Sequence, residues 1–259
     1  MDLLRVEKVS KDRILDQVSF SLEEGGMMAV MGPSGAGKST LLYHVAGMAD
    51  PSGGKIWLKD TEITGLSEDE KAFLRLHRMG FVFQQMNMIS NLTILDNILL
   101  PAIQANKGKH RKTKAELTAK ARSLMEKLSL SGLEERKITQ VSGGQLQRAC
   151  ICRSIMNDPE ILFADEPTGA LNRGAAREVM AELARLNHEG MTILMVTHDE
   201  KVASSCERVL YLVDGRIRGE LMMGKMRPGT EKQRLEKLGK WLDRTDGHYS
   251  TTGISICTI

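Results

Sequence analysis

Gly32-Pro33-Ser34-Gly35-Ala36-Gly37-Lys38-Ser39 is the stretch on which the fold turns. It has the spacing GxxxxGK[ST]. A short unbroken apolar run, Met27-Met28-Ala29-Val30-Met31, precedes it, and Ser39-Thr40-Leu41-Leu42-Tyr43-His44-Val45-Ala46 continues with helical character. An apolar run of that length fits a strand buried on both faces, as in a parallel sheet. Between such a strand and such a helix, small residues let backbone N–H groups close around phosphate oxygens. The positive N-terminal end of the helix adds to the attraction. In this arrangement Lys38 reaches the β- and γ-phosphates of a nucleotide and the Ser39 hydroxyl binds Mg²⁺. Gly32, Pro33, Ser34, Gly35, Ala36, Gly37, Lys38 and Ser39, together with the following Thr40, are therefore the expected nucleotide-binding residues.

Ile161-Leu162-Phe163-Ala164-Asp165-Glu166 supplies the other half of such a site. A buried strand ending in two carboxylates places charge at its C-terminal edge, where open α/β sheets bind ligands. Asp165 is expected to hold Mg²⁺, directly or through water. Glu166, one residue further on, is expected to polarise the attacking water as general base.

Outward from these motifs, residues 3–21 alternate in short apolar and polar runs that predict antiparallel strands. Met79-Gly80-Phe81-Val82-Phe83 reads as another strand, and Pro51-Ser52-Gly53-Gly54 as a turn. From about residue 86 to 158 the pattern is helical, including a helix over residues 114–128. Sheet signals then resume at residue 161, with a helix over residues 175–188 and the strand Thr192-Ile193-Leu194-Met195-Val196-Thr197. A hairpin turns at Asp214-Gly215. Helices alternating with buried strands predict an α/β fold.

The chain has 259 residues, 41% hydrophobic and 27% charged, which excludes a disordered chain and allows one large domain with an inserted subdomain. No apolar run approaches the roughly 20 residues that span a bilayer. The start, Met1-Asp2-Leu3-Leu4-Arg5, has no signal-peptide character, so the expected place is the cytoplasm unless a partner holds the chain at a membrane. Four cysteines (Cys150, Cys152, Cys206, Cys257) lack both disulfide and zinc-site spacing and read as reduced thiols. A net charge of +3 is too mild to argue for nucleic acid. Basic residues cluster over 107–122 and 225–244, where solvated faces are the favoured reading over contact with anionic lipid.

Val141-Ser142-Gly143-Gly144-Gln145, lying between the phosphate loop and Asp165-Glu166, resembles the signature sequence of ABC ATPases, with Val141 where leucine is commonest. The resemblance covers nearly all of residues 3–220. It implies a P-loop NTPase core with an N-terminal antiparallel β subdomain and an inserted α-helical subdomain. The implied division is an ATP-binding core of residues 1–86 and 159–221, a helical insert of 87–158 carrying the signature, and a C-terminal helix and polar tail of 222–259. It also implies that ATP and Mg²⁺ are bound and ATP is hydrolysed. Gln84 looks like the Q-loop glutamine, which links Mg²⁺ and the γ-phosphate to the helical subdomain, and His198 like the switch histidine at the γ-phosphate. Catalysis then falls to Glu166, His198 and Gln84, and Mg²⁺ to Ser39, Gln84 and Asp165. Ser142, Gly143, Gly144 and Gln145 close on the ATP of a second copy of the chain, head to tail. Gly169-Ala170-Leu171-Asn172 resembles the D-loop, which crosses that dimer interface.

Two positions depart from the family pattern. Asn172 stands where aspartate is usual, and Lys11-Asp12-Arg13 contains no aromatic where one usually stacks on adenine. Phe83-Gln84-Gln85-Met86-Asn87-Met88 and Ala164-Asp165-Glu166-Pro167-Thr168-Gly169-Ala170-Leu171 resemble one branch in particular, the ATPases of lipoprotein-releasing, macrolide-exporting and bacitracin-resistance systems. That branch implies integral membrane permease subunits as partners, a peripheral position on the cytoplasmic face of the membrane, no nucleic acid, and a groove near residues 86–91 for the permease. A soluble ABC ATPase of DNA repair or translation is the alternative. The first needs long coiled coils and the second normally two ATPase units, and neither is visible.

Overall fold

The computed structural model describes residues 1–106 and 111–250. Lys107, in the first basic cluster, and the polar tail with Cys257 lie outside the described residues. The N-terminal strands β1 (Asp2–Lys11) and β2 (Leu15–Glu23) pair antiparallel as expected. They are joined by β4 (Gly53–Leu58) and β5 (Thr61–Glu62) in a four-stranded sheet of order β2-β1-β4-β5. Gly53-Gly54, read from sequence as part of a turn, instead opens β4. Gly54 adopts φ +88°, and a Cβ there would sit 2.4 Å from the Lys8 carbonyl oxygen of β1, so only glycine lets the strands close.

The second sheet holds β3 (Met27–Met31), β6 (Met79–Val82), β7 (Ile161–Asp165), β8 (Thr192–Val196), β9 (Arg208–Val213) and β10 (Arg216–Met222), in the order β10-β9-β3-β8-β7-β6. All neighbours are parallel except the β9–β10 hairpin. Every residue of β3, β7 and β8 is buried, which accounts for their unbroken apolar runs. Alternate residues feed two different cores. Met28, Val30, Phe163, Leu194 and Leu212 pack toward the antiparallel sheet and α1 (Lys38–Val45). Met27, Ala29, Leu162, Met195 and Val209 face the helical layer on the other side.

Between β6 and β7 the chain forms α3 (Ile94–Ala105), α4 (Lys114–Lys127) and α5 (Gly143–Ser154). Each begins at a serine or threonine whose side chain accepts from the third helical N–H, while the residue at that position reaches back to the cap. Leu99, Ala121, Met125 and Ile151 of these helices share one core with the sheet face above. The helix α6 (Arg173–His188) begins two residues earlier than its periodicity indicated, because Asn172 caps it. A helix unread in the sequence, α2 (Glu68–Arg78), precedes β6.

The C-terminal stretch is packed. After the short α7 (Glu200–Ser204), β9 and β10, helix α8 (Glu231–Ser250) lays Leu238 and Leu242 into the core and Trp241 edge-on against Tyr211, ring centroids 6.1 Å apart. The buried Arg234 guanidinium donates to the carbonyls of Ser204 (2.7 Å), Cys206 (2.6 Å), Met223 (3.1 Å) and Gly224 (2.9 Å). Its fork thus meets backbone carbonyls at and just beyond the ends of α7 and β10. Cys150, Cys152 and Cys206 are free, and burial pushes their thiols up to about 11, 12 and 12 respectively. They are inert rather than reactive.

Candidate functional site

Parallel register brings the motifs together. Val196 is the Cα partner of both Val30 and Asp165, so three neighbouring strands end at one level. The phosphate loop leaves β3 there, Asp165-Glu166 ends β7, and Thr197-His198 follows β8. This crevice at the carboxyl ends of parallel strands is where such sheets bind ligands.

Residues 32–37 turn tightly because their glycines permit it. A Cβ on Gly32 would lie 2.0 Å from the Leu212 carbonyl oxygen. Gly37, at φ +95°, forms the N-terminal cap of α1 and presses against the Ile14 carbonyl. Lys38 Nζ donates to the carbonyls of Gly32 and Pro33, each at 2.8 Å, so the ammonium lies across its own loop. Burial lowers its pKa against the opposing pull of Glu166 and Asp165. Thr40 sits in the first turn of α1, its carbonyl accepting from the buried His44 ring.

Asp165 is nearly fully buried and bracketed by hydroxyls. Ser39 Oγ donates to Oδ1 at 2.9 Å and the Tyr43 hydroxyl to Oδ2 at 2.7 Å. Burial, together with the bond to Asp165, pushes the Tyr43 hydroxyl up to about 12, so it stays a neutral donor. Glu166 has the left-handed φ of +46°, a strained setting for a non-glycine residue, and its N–H is held by the Val196 carbonyl at 3.0 Å. Its Oε1 lies 2.8 Å from His198 Nδ1 and its Oε2 accepts from Thr197 Oγ1 at 3.2 Å. The catalytic carboxylate expected from sequence is thus oriented by two side chains from the end of β8.

Gln84 follows β6 and is exposed. Its amide Nε2 would lie 3.4 Å from a Cβ on Gly169, which sets it beside the loop that links Glu166 to α6. That loop ends at Asn172, whose Oδ1 accepts from Ala175 N–H at 3.0 Å. The departure from aspartate therefore keeps the capping function, for which the two residues are equivalent. Ser142 and Gly143 are exposed at the start of α5, and Ser142 forms a reciprocal cap with Gln145 (3.2 and 2.8 Å). That cap lies within the first turn of α5. Gly144 is buried and lets α5 approach α6, since a Cβ would meet Ala175 Cβ at 2.8 Å.

Where an aromatic was missing from the sequence, Ser10, Lys11, Asp12, Arg13, Ile14 and Asp16 line an open recess of about 290 Å³, and no ring enters it. Gly215 ties that recess to the phosphate loop, its N–H donating to Ala36 at 3.2 Å. Two residues missed in the sequence belong to the site. Tyr43 lies four residues after Ser39, hence on the same face of α1, and that spacing was the available signal. Thr197, the first residue after β8, carried no signal of its own.

A divalent ion suits this donor set. Among the described residues no group of three or more His, Cys, Asp or Glu could hold a metal. One buried carboxylate with hydroxyl partners, completed by phosphate oxygens, is how Mg²⁺ is usually held. Among the described residues, no helix is long and apolar enough to cross a membrane.

A family model described as ABC transporter matches residues 15–169. The macrolide export ATP-binding/permease protein MacB of Bdellovibrio bacteriovorus is 38% identical over 236 residues, covering 90% of this chain and 35% of that protein. The protein of the same name from Neisseria gonorrhoeae is 39% identical over 229 residues, covering 88% and 35%. The chain thus spans about a third of the length of these relatives. A dimeric ATP-binding cassette in a post-hydrolysis state, bound to ADP and Pi, superposes with a TM-score of 0.78 at 34% identity, covering 86% of this chain and all of that one. The expected α/β cassette fold is the one observed, and the chain belongs to the ABC transporter family.

Proposed function

We propose that the chain is the ATP-hydrolysing motor of a membrane exporter. The observation that carries this reading is Glu166, strained, held by His198 and Thr197, and adjacent to an Asp165 that is tied to the phosphate loop through Ser39. The division of labour runs through residues 1–86 and 159–221 as ATP-binding core, 87–158 as helical insert and 222–259 as C-terminal extension. Residues of the loop from Gly32 to Thr40 cradle the triphosphate, with Lys38 moving from its own carbonyls to the β- and γ-phosphates. Ser39, Asp165 and Gln84 hold Mg²⁺, which when bound neutralises charge on the phosphate oxygens. Glu166 orients and deprotonates the attacking water, and His198 keeps the carboxylate aimed while facing the γ-phosphate.

Ser142, Gly143, Gly144 and Gln145 offer a hydroxyl and helix N–H groups to the ATP of a second copy, completing a head-to-tail dimer. The dimeric cassette with ADP and Pi supports that arrangement. The relatives named as ATP-binding/permease proteins support an integral membrane permease as the other partner and a peripheral position on the cytoplasmic face. They favour transport over DNA repair or translation. A peptide, lipopeptide or lipoprotein as the class of cargo rests on the sequence resemblance to lipoprotein-releasing and bacitracin-resistance systems, whereas these relatives are named for macrolide export.

Glu166→Gln tests the reading, because the amide keeps the shape and can still meet Thr197 and His198 while losing basicity. Turnover is expected to vanish while ATP binding persists, and Mg-ATP should trap a dimer on sizing chromatography. Turnover within about threefold of wild type, well under one tenfold step in rate, would overturn the assignment of Glu166 as base.

A further inference from the structure

We propose that Tyr43 is a positioning residue for the metal: its hydroxyl and that of Ser39 clamp the two oxygens of Asp165 and fix the plane of that carboxylate for a divalent cation. This rests on the reading of Ser39 and Asp165 as Mg²⁺ ligands. Ser39 and Tyr43 stand one helical turn apart on α1, so both side chains project toward the end of β7. Ser39 Oγ is 2.9 Å from Oδ1 and the Tyr43 hydroxyl 2.7 Å from Oδ2, so each oxygen has one donor and neither oxygen has two. An ionised carboxylate offers about four acceptor positions. Two remain for a cation or its water, in a plane that can no longer turn.

The identity of the clamp matters. A lysine or arginine in place of Tyr43 would also hold Oδ2, but its charge would oppose the arriving cation. A phenol holds the oxygen without that penalty. Among the described residues, no Lys or Arg forms an ion pair with Asp165, although Lys38 of the phosphate loop feels its charge. Were Tyr43 only a packing residue, its ring would suffice and the hydroxyl would be dispensable.

Tyr43→Phe separates the two. The side chain is only half-buried, so the ring should be accepted without its oxygen. Binding of Mn²⁺ to the full chain loaded with adenylyl imidodiphosphate is followed by electron paramagnetic resonance, beside binding of the same nucleotide in EDTA. Loss of an outer partner of a metal ligand weakens metal binding by about tenfold or more, and that is the expected shift in Mn²⁺ affinity. Nucleotide affinity without metal should move by less than about twofold, well below the 1.4 kcal/mol of a tenfold change. Tyr43→Leu, which also lacks the hydroxyl, should give the same Mn²⁺ shift and covers the case in which the phenylalanine variant does not fold. Mn²⁺ affinity unchanged in either variant overturns the proposal, as does an equal loss of nucleotide affinity with and without metal. Failure of the wild-type chain to take up Mn²⁺ beside nucleotide would instead overturn the underlying assignment of Ser39 and Asp165.

Discussion

The recess beside the phosphate loop predicts poor discrimination between purine nucleotides. Its walls are Ser10, Lys11, Asp12, Arg13, Ile14, Leu15, Asp16 and Asp214, so a base entering it meets charged and aliphatic groups and no aromatic ring. A stacked aromatic contributes about 1–3 kcal/mol per base. At 1.4 kcal/mol per tenfold, its absence costs about fivefold to 150-fold in affinity. Asp16 is already engaged with Arg216, and Ile14, 41% exposed, offers only an apolar edge. The exposed Arg13 guanidinium can lie over the base and return about 0.5–1 kcal/mol, but every base presents a π-face, so the gain carries no preference. Affinity then rests on triphosphate contacts from the loop and Lys38, which ATP and GTP share.

Competition between ATP and GTP for the purified chain, read by fluorescence of a labelled nucleotide, should give affinities within about tenfold of each other, a gap of at most 1.4 kcal/mol. Arg13→Ala should weaken both alike. A preference for ATP beyond about a hundredfold, or 2.7 kcal/mol, would refute the reasoning. If that preference vanished in Arg13→Ala, the arginine itself would be the reader of the base.

Two further predictions concern stability. Replacing Arg234 by Met strips the guanidinium from four carbonyls at the junction of α7, β10 and α8, and at about 1–3 kcal/mol per unsatisfied group, partly relieved by water, the cost should be about 2–4 kcal/mol in chemical denaturation. A loss under about 1 kcal/mol would mean that α8 is held by Leu238, Leu242 and Trp241 alone. Asn172→Ala should cost about 1 kcal/mol through loss of the α6 cap, whereas Asn172→Asp should be nearly neutral; equal losses in the two would refute the capping role.

What could be read from the sequence was local. The phosphate loop and the pair Asp165-Glu166 each occupy a few consecutive residues at the end of a buried strand, so composition and order alone located them. Tyr43 and Arg234 show the limit. Tyr43 matters through a carboxylate 122 positions away in the chain, and its one local clue was the spacing from Ser39. Arg234 sits among alternating charges that read as a solvated face, and only the fold shows that its fork meets four backbone oxygens. Strand β4 went unread because Gly53-Gly54 signalled a turn, while the actual constraint was the close approach of Gly54 to Lys8 in β1, and β5 is only two residues long. Asn172 departs from the aspartate usual at that position, and the cap it forms on α6 needs an oxygen rather than a charge.

The same contacts give α5 a particular place in the molecule. Its Arg153 donates to the carbonyls of Met86 (3.0 Å) and Asn87 (2.7 Å), and its Cys150 to Met86 at 3.2 Å, so the loop that begins at Gln84 is fastened to this helix. At its other end, Gly144 packs on Ala175 and Gly143 faces Leu171, which joins the helix to the loop running from Glu166 to Asn172. Gln84 lies beside Gly169 in the loop that follows Glu166, and the backbones of both loops contact one helix, whose exposed N-terminus carries Ser142. A displacement of either loop must therefore be accommodated by α5 or break named contacts. Because α5 shares a continuous core with α3 and α4, the insert cannot shift against the sheet without disturbing the packing of Ile151, Ala121 and Leu99.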